Sequence, residues 1–424
     1  MKNKRISLIT LFICLFVITS NVFAASNDNP TMPNIYAKAA ITIDVKTGEI
    51  IYTKDIDKKM YPASTTKLLT ALLLAENKKK DDAIPYTADA KKQPEYSLNK
   101  NIRPIDLNET IKANDVMDGL LLFSGNDVAY MISDSVGGNS KNFENMMNNK
   151  IKELHLKNTH FVTPNGLHND NHYTTPYDLS VIGRTALKNQ WVYNSSHKKD
   201  SIVATSKGTK MPIKNRNKLL GEDGCIAGKT GFTNAAGRCL VALFERNGRQ
   251  ILGVVMGSVY DAHDSFVFND MKKIMDWSYG TKPSHLYKKG TTLSTKKIAY
   301  KPLGFVGPSK TIEVPLILQE DALYYKNDIN DKEIKKNFNI ENTSFNALCG
   351  KKNIGTLTIQ ERETKKTYSL YSSLSSKQIF KYNMPFYIAT AVALIVVIAI
   401  IFLIFKFKHN IKRKRDRRKN KYWY

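Results

Sequence analysis

The chain has 424 residues, and its 64 lysines and arginines outnumber its 38 aspartates and glutamates, which gives a formal net charge of +26. Part of this excess lies at the two ends, because residues 406–424 carry +9 and residues 1–24 carry +3, which leaves +14 between them. A basic cluster that follows an apolar segment is typical of a membrane-flanking tail, so the charge does not support a nucleic-acid partner. The remaining +14 fits either attraction to anionic wall polymers or a solvated, lysine-rich surface.

The first 24 residues have the pattern of a secretory signal peptide. Three cations precede an uncharged, mostly apolar run over residues 6–18, and Val22-Phe-Ala24 is a suitable small-residue cleavage signal. We therefore expect residues 1–24 to be removed and the protein to be exported.

Two strands are predicted to open the first domain, near Ala39–Asp44 and Glu49–Lys54. Pro62 then suits the first turn of a helix, and the run Leu68–Ala75 is apolar on nearly every face. A helix of this composition is expected to be buried.

Ser64 and Lys67 are three residues apart at the start of this helix, so they share one face. A serine hydroxyl becomes a good nucleophile when a neighbouring base takes its proton, and a lysine can serve once burial and nearby cations lower its pKa. The pair is therefore predicted to be catalytic. Because the same spacing recurs at Ser97–Lys100, the buried helix around Ser64 is what distinguishes the first pair.

Ser124-Gly-Asn126 is a polar break in apolar, helix-like sequence. One interpretation is a structural turn between two core helices, with its polar groups hydrogen-bonded inside the protein. In the functional interpretation, Ser124 exchanges a proton with Lys67, and the Asn126 amide forms a hydrogen bond with the substrate backbone.

Lys229-Thr230-Gly231 precedes a turn and the apolar run 239–244, which predicts a strand that ends in a hairpin. Lys229 and Thr230 would supply a charge and a hydroxyl for a substrate carboxylate, and Gly231 would let a substrate approach the backbone closely. A phosphate-binding loop is the competing interpretation, but its first glycine would fall on Asp223.

In this order the three motifs resemble those of the serine-type D-alanyl-D-alanine carboxypeptidases, the low-molecular-mass penicillin-binding proteins of peptidase family S11. The likeness covers roughly residues 35–280 and, more weakly, 285–378. The matching segments are Tyr61–Lys67, Ser124–Asp127, Pro164–Leu167, Tyr177–Leu179, Asn215–Asn217, Leu219–Leu220 and Lys229–Thr233. One departure is Gly228, where the family usually has an apolar residue. This difference is expected to change how the local strand packs and to leave the chemistry of the site unchanged.

The resemblance implies an α/β (α+β) penicillin-binding/β-lactamase-like transpeptidase domain, followed by a small C-terminal all-β domain. It also implies peptidoglycan stem peptides ending in D-Ala-D-Ala as substrates. Ser64 would attack the penultimate carbonyl and release the terminal D-alanine, and water would then hydrolyse the acyl-enzyme. β-Lactams would bind at the same site, and no cofactor or metal is expected.

The resemblance also assigns supporting roles around the nucleophile. The backbone N–H groups of Ser64 and Phe232 would form the oxyanion hole, in which one donor typically contributes about 3 to 4 kcal/mol to transition-state stabilisation. Arg216 would assist Lys229 and Thr230 in holding the terminal carboxylate. The resemblance leaves open whether Lys67 alone is the acylation base.

Two alternative functions are a β-lactamase-like hydrolase and a catalytically weak, membrane-tethered wall-binding protein. Glu95-Tyr-Ser-Leu-Asn99 matches the pattern that carries the deacylating glutamate in class A β-lactamases, but it precedes Ser124 instead of following it. We therefore expect Glu95 to lie outside the site with its side chain in solvent. All motif side chains are present, which argues against a loss of turnover.

Three cysteines remain after the signal peptide, namely Cys225, Cys239 and Cys349. The first two flank the predicted hairpin symmetrically and could face each other, but a disulfide needs close Cβ atoms, so buried free thiols are the default expectation. His168 and His172 alternate with polar residues in a loop. Structural or substrate-lining roles are favoured there over a metal site.

The exported length predicts two domains, a catalytic domain over residues 25–284 and a small β-rich domain over 285–378. Short apolar runs at Thr311–Leu318 and Ile354–Gln360 are the strand signals of the second domain. The segment Ser369–Tyr382 is predicted to link this domain to the membrane.

Met384–Phe405 contains about 22 residues without a charge, which is long enough to span a bilayer. The basic tail that follows, residues 406–424, is expected in the cytoplasm under the positive-inside rule. The sequence thus predicts a single-pass protein of the cell membrane with an extracellular catalytic domain.

Overall fold

A computed structural model describes residues 30–304 and 306–419. The predicted signal peptide and the last five residues of the predicted tail lie outside the described residues. The chain divides into two compact units, the first ending at Lys282 and the second beginning at Pro283.

The first unit contains nine strands among its described residues. They are β1 (Ala39–Asp44), β2 (Ile50–Lys54), β3 (Ala83–Pro85), β4 (Thr110–Lys112), β5 (Asp200–Ala204), β6 (Lys210–Lys214), β7 (Cys225–Thr233), β8 (Gly237–Arg246) and β9 (Arg249–Ser258). Five of them form an antiparallel sheet in the order β2-β1-β9-β8-β7. The predicted return of the chain to its first sheet is confirmed, and β7 is an edge strand.

Helices cover this sheet and build a separate helical region. They are α1 (Lys67–Asn77), α2 (Ala88–Lys91), α3 (Leu98–Asn101), α4 (Ala113–Asp118), α5 (Asn126–Gly137), α6 (Ser140–Glu153), α7 (Pro176–Lys188), α8 (Gln190–Ser196) and α9 (Phe266–Gly280). Gly183 of α7 packs against Leu252, and the methionines of α9 pack against Gly253. Since successive residues of a strand point to opposite faces, α7 and α9 cover opposite faces of the sheet.

Helix α1 is the buried centre of the helical region. Residues 67–74 are at most 3% exposed, as the apolar sequence predicts. A 3₁₀ turn, Ala63–Thr66, leads directly into this helix, and a π-helical turn, Gly119–Phe123, precedes the middle motif. The predicted helix start at Ser64 and the predicted break in helical structure at Ser124 are thus confirmed, with irregular turns at both motifs.

The second unit is a small β-rich structure. Its strands are β10 (Ser284–Tyr287), β11 (Ser294–Tyr300), β12 (Lys310–Leu318), β13 (Ala322–Tyr324), β14 (Lys335–Ile340), β15 (Gly355–Glu361) and β16 (Thr364–Ser372). Five form an antiparallel sheet in the order β11-β12-β16-β15-β14. Its helices are α10 (Asp328–Glu333), α11 (Phe345–Leu348) and α12 (Ser376–Lys419).

Helix α12 is long and apolar enough to cross a membrane by length and composition. The predicted linker Ser369–Tyr382 is wrong, because β16 extends to Ser372 and α12 begins at Ser376. The helix also continues through the basic segment to Lys419. Lysine and arginine are good helix formers, so no turn signal ends the helix at the close of the apolar stretch.

Candidate active site

Ser64 lies on the 3₁₀ turn in front of α1 and is half-exposed at the floor of a cleft. The preceding Ala63 has a φ of 48°, a left-handed conformation that is uncommon for alanine. Gly166 packs so tightly against it that a Cβ there would lie 2.0 Å from the Ala63 carbonyl oxygen. Thr66 adds a hydrogen bond to the same oxygen at 2.9 Å, and its hydroxyl is also 2.9 Å from His172 Nε2. The nucleophile turn is therefore held from two sides.

The Lys67 amine has three close partners although its side chain is fully buried. Its Nζ lies 2.9 Å from Ser64 Oγ, 3.0 Å from Asn126 Oδ1 and 2.8 Å from the Asn165 carbonyl oxygen. The amide and carbonyl oxygens can only accept hydrogen bonds. When a neutral amine gives its two hydrogens to them, its lone pair is left directed at the Ser64 hydroxyl. This arrangement suits a general base.

The orientation of the Asn126 amide is fixed by a second contact. Its Nδ2 donates to the Glu95 carbonyl oxygen at 2.8 Å, which leaves Oδ1 for Lys67. Its backbone N–H donates to the Tyr96 carbonyl oxygen at 2.7 Å. The Glu95 side chain is exposed as predicted. The prediction that Glu95 lies outside the site is wrong for its main chain, because its carbonyl oxygen contacts Asn126. Every residue type has a carbonyl oxygen, so the sequence could not indicate this contact.

Burial lowers the pKa of Lys67 from its usual value to about 7, and the positive charge of Arg216 lowers it further, against the opposing effect of Asp127. Desolvation of a charged amine without a paired carboxylate is the main physical cause. A base with a pKa near neutrality combines a neutral form at working pH with useful basicity.

Ser124 connects this group to the second buried lysine. It has a left-handed φ of 73°, and its hydroxyl accepts a hydrogen bond from Lys229 Nζ at 2.9 Å. Lys229 is 1% exposed, and burial, followed by the charges of Lys67 and Arg216, holds its pKa well below the usual value. The two lysines share one site and disfavour each other's charged forms.

Strand β7 brings Gly231 against the nucleophile turn. A Cβ on this glycine would lie 3.0 Å from the Ser64 and Thr65 nitrogens and from the Pro62 carbonyl oxygen. The close approach predicted for a substrate is thus made by the enzyme's own backbone. As an edge strand, β7 has one backbone side without a neighbouring strand.

The departure at Gly228 has a steric reason. A Cβ at this position would lie 2.6 Å from the Val241 carbonyl oxygen and 2.9 Å from Asn217 Nδ2. The buried Asn217 side chain therefore occupies the space that an apolar residue would need.

Arg216 stacks on two aromatic rings at the cleft. Its guanidinium carbon is 4.6 Å from the centre of the Tyr96 ring and 5.0 Å from that of Phe123. Tyr96 is 54% exposed and has a φ of 63°, so a strained turn presents its ring to the cleft.

The opposite wall contains a group that sequence reasoning missed. Arg238 lies 4.9 Å from the ring centre of Phe232 and 5.0 Å from that of Tyr260, and its Nε is 2.5 Å from Asp264 Oδ1. The two rings are themselves stacked at 4.8 Å. Only the pairing of Arg238 with Phe232 across the hairpin could have indicated it.

Together these groups line a cleft of about 360 Å³. Seven of the predicted site residues border it, namely Ser64, Ser124, Asn126, Arg216, Thr230, Gly231 and Phe232. Lys67 and Lys229 lie buried among the polar groups described above. The residues that sequence reasoning missed are Tyr96, Asn165, Arg238, Tyr260 and Asp264.

The remaining candidates have structural surroundings. His172 Nδ1 accepts hydrogen bonds from the backbone N–H groups of Val162 and Thr163. The imidazole stacks on the Phe161 ring with the ring centres 4.6 Å apart, and burial lowers the pKa of His172 to about 3. The expected structural role of His172 is thus supported by three contacts.

The cysteines are buried free thiols. Cys225 and Cys239 do not face each other, because Cys225 pairs with Phe244 and Cys239 with Gly231. The default expectation of buried free thiols is confirmed. The spacing is not symmetrical, because Cys239 lies two residues after the pair that closes the hairpin turn and Cys225 lies eight residues before it.

Comparisons with known proteins give the same assignment. The profile of the D-alanyl-D-alanine carboxypeptidase family matches residues 25–259. The D-alanyl-D-alanine carboxypeptidase DacF of Bacillus subtilis is 26% identical over 348 residues, covering 80% of this chain and 86% of the relative. DacD of Escherichia coli is 31% identical over 272 residues, covering 61% and 67%.

Two solved structures have the fold of the first unit. The DD-transpeptidase of Streptomyces K15 is 29% identical with a TM-score of 0.54, covering 59% of this chain and 100% of the solved one. The D-alanyl-D-alanine carboxypeptidase of Mycobacterium tuberculosis is 26% identical with a TM-score of 0.56, covering 60% and 96%.

The sheet, the pair formed by Ser64 and the buried Lys67, and the edge strand beside this pair define a serine acyl-transfer enzyme with the penicillin-binding fold. Within that class, the profile match assigns this chain to the D-alanyl-D-alanine carboxypeptidase family.

Proposed function

We propose that this protein removes the terminal D-alanine from peptidoglycan peptides that end in D-Ala-D-Ala. The observation that carries the proposal is the set of partners around Lys67 Nζ, which leaves the lone pair of the neutral amine directed at Ser64 Oγ. Family membership supports the same substrate class.

In the acylation step, Lys67 takes the hydroxyl proton while Ser64 Oγ attacks the penultimate carbonyl carbon. The C–O bond forms, and the carbonyl oxygen becomes an oxyanion that accepts from the backbone N–H groups of Ser64 and Phe232. The C–N bond then breaks, and Ser124 gives its hydroxyl proton to the departing D-alanine amine while it takes up the proton that Lys67 received, which leaves Lys67 neutral again. Its contact with Lys229 supports this shuttle role.

The terminal carboxylate of the substrate needs cations and donors at the cleft. Thr230 and Arg216 border the cleft, and Lys229 lies within hydrogen-bond distance of Ser124, which also borders it. The open side of β7 suits an extended peptide, because backbone hydrogen bonds can add it as a further strand. Asn126 would bind the backbone of this peptide.

In the deacylation step, a water molecule attacks the ester carbonyl carbon, the bond between this carbon and Ser64 Oγ breaks, and the proton that the water loses returns to Ser64 Oγ. The exposed carboxylate of Glu95 is not part of this step, because only its main-chain carbonyl contacts Asn126. Penicillin would acylate Ser64 through the same route, its ring amide taking the place of the scissile peptide bond.

We also propose that α12 spans the cell membrane and holds the catalytic unit outside. The apolar stretch Met384–Phe405 is about 33 Å long at 1.5 Å per residue, against about 30 Å of hydrocarbon. The basic residues after it favour a cytoplasmic C-terminus.

The test uses the full chain in detergent with a pentapeptide that ends in D-Ala-D-Ala. Mass spectrometry should detect loss of one alanine with the wild type and none with Ser64→Ala, and a labelled penicillin should mark only the wild type. Equal labelling of both proteins would refute Ser64 as the nucleophile, and an intact peptide with the wild type would refute the carboxypeptidase activity.

A further inference from the structure

The loop between β11 and β12 presents apolar side chains to solvent. Leu303 and Val306 form an isolated antiparallel bridge, and they are 42% and 66% exposed. We call residues 301–304 and 306–310 the Leu303 loop. Two adjacent exposed aliphatic side chains on a short hairpin mark a candidate contact surface.

This loop lies along α12 about three turns from the start of the helix. The Tyr387 hydroxyl is 3.3 Å from the Pro302 carbonyl oxygen, and a Cβ on Gly307 would lie 4.0 Å from Phe386 Cζ. Just before these residues in the helix, the Tyr300 hydroxyl donates to Asn383 Oδ1 at 2.6 Å. The end of the sheet that carries the loop is therefore fastened to the helix by hydrogen bonds.

The contacts set the height of the loop on the helix. Tyr387 is three residues beyond Met384, the first residue of the apolar stretch, which is about 5 Å along the helix axis. If Met384–Phe405 fills the hydrocarbon, the loop reaches the boundary between headgroups and acyl chains. This step rests on the proposed membrane span of α12.

Aromatic and basic side chains surround the same level. Phe386 and Tyr387 are half-buried, and Tyr382 donates to the Thr311 carbonyl oxygen at 2.9 Å. Lys310 Nζ lies 4.6 Å from the centre of the Tyr382 ring. Aromatic rings at headgroup height and lysines beside them are the usual composition of a membrane-interface anchor.

We propose that the Leu303 loop is a second membrane contact, in which Leu303 and Val306 insert into the bilayer interface. Lys301 and Lys310 would lie among the headgroups, so the preferred partner is a bilayer that contains anionic lipid. The β-rich unit would thereby bind the membrane through its own surface as well as through α12.

The test places an environment-sensitive dye on single introduced cysteines in the full chain. The native cysteines among the described residues are buried, and labelled wild type gives the background. The probe site is Val306→Cys. Ile395→Cys, in the apolar stretch, reports whether α12 is in the bilayer, and Lys365→Cys lies at the opposite end of the sheet. Each protein is reconstituted in phosphatidylcholine vesicles with and without phosphatidylglycerol. One set of vesicles contains lipids with a quencher near the headgroup, and a second set contains lipids with a quencher deep in the acyl chain.

We expect a blue shift and loss of most emission at Val306, no change at Lys365, and quenching at Ile395 by lipids that carry the quencher deep in the chain. Quenching at Val306 should be stronger with phosphatidylglycerol, and equal quenching would overturn the preference for anionic lipid. If Ile395 is quenched and Val306 is not, the loop contact is refuted while the span stands. An unquenched Ile395 refutes the span and with it this inference, and equal quenching at Val306 and Lys365 refutes a contact specific to the loop.

Discussion

Strands β7 and β12 both contain nine residues in antiparallel sheets, but they bury different groups. In β12 the buried residues alternate, from Ile312 through Val314 to Leu318. In β7 three consecutive residues are buried, Ala227, Gly228 and Lys229. Alternation is the ordinary result of packing one face of a sheet. The consecutive burial in β7 arises because both faces of the strand are covered there, since Lys229 contacts Ser124 on one face and Asn217 lies against Gly228 on the other.

The difference has an energetic meaning. Burying a lysine costs free energy unless it is paired or neutral, and among the described residues no carboxylate lies within hydrogen-bond distance of Lys67 or Lys229. Burial lowers the pKa of both lysines, and for Lys67 the lowered pKa suits the proposed role of a base. The buried side chains of β12 are all apolar, so their burial serves stability alone. Four predictions test this contrast.

The largest effect is expected for Lys67→Ala. Removing the proton acceptor should lower the rate of Ser64 acylation by labelled penicillin about 10² to 10⁴-fold. Lys100→Ala is the matched control, because Lys100 has the same spacing from Ser97 but is exposed. A Lys67→Ala protein that is folded by circular dichroism and acylated at the wild-type rate would rule out Lys67 as the base.

A smaller effect is expected for Gly231→Ala. The added Cβ would press on the Ser64 and Thr65 nitrogens at 3.0 Å and displace the nucleophile turn. Displacements of about 1 Å can cost roughly 10²-fold in rate. Gly280→Ala at the end of α9 is the control, because an added Cβ there would lie 3.8 Å from its nearest neighbour, Pro30 Cγ, and acylation should be unchanged. Wild-type acylation kinetics in Gly231→Ala would show that the nucleophile turn accommodates the added methyl group without loss of rate, and would contradict this prediction.

The pH profile should show the state of Lys67 directly. A base acts in its neutral form, and the pKa of Lys67 is about 7, so the acylation rate should rise with pH and level off above about 7. Below that value the rate should fall about tenfold per pH unit, because the protonated fraction grows in that proportion. Stopped-flow measurement with penicillin from pH 5.5 to 8.5 checks this, and a flat profile would contradict the assignment.

The smallest effect on acylation is expected for Leu316→Ala in β12. Leu316 is fully buried, so its truncation should destabilise the second unit by about 2 to 5 kcal/mol. Thermal unfolding of the full chain should show this loss, while penicillin acylation of Ser64 keeps its wild-type rate. A large drop in the acylation rate would show that burial in β12 affects catalysis as well as stability, which would contradict the contrast between the two strands.

The sequence alone was enough to predict the residues with reactive side chains and the elements that carry them. Ser64, Lys67, Ser124 and Lys229 lie in short motifs, and the apolar run of α1 predicted its burial. These features are local, because hydrophobic periodicity and turn residues act over a few positions.

The tertiary structure decided which backbone atoms complete the site. The carbonyl oxygens of Asn165 and Glu95 orient Lys67 and Asn126, and the Gly231 backbone approaches Ser64. Any residue type has a carbonyl oxygen, so no side-chain pattern identifies the one that will be used. The separation of Cys225 from Cys239 depends on the register of the hairpin between β7 and β8, which its turn sets. The contact of Arg238 with Tyr260, which follows β9, depends on how a later part of the chain returns to this hairpin.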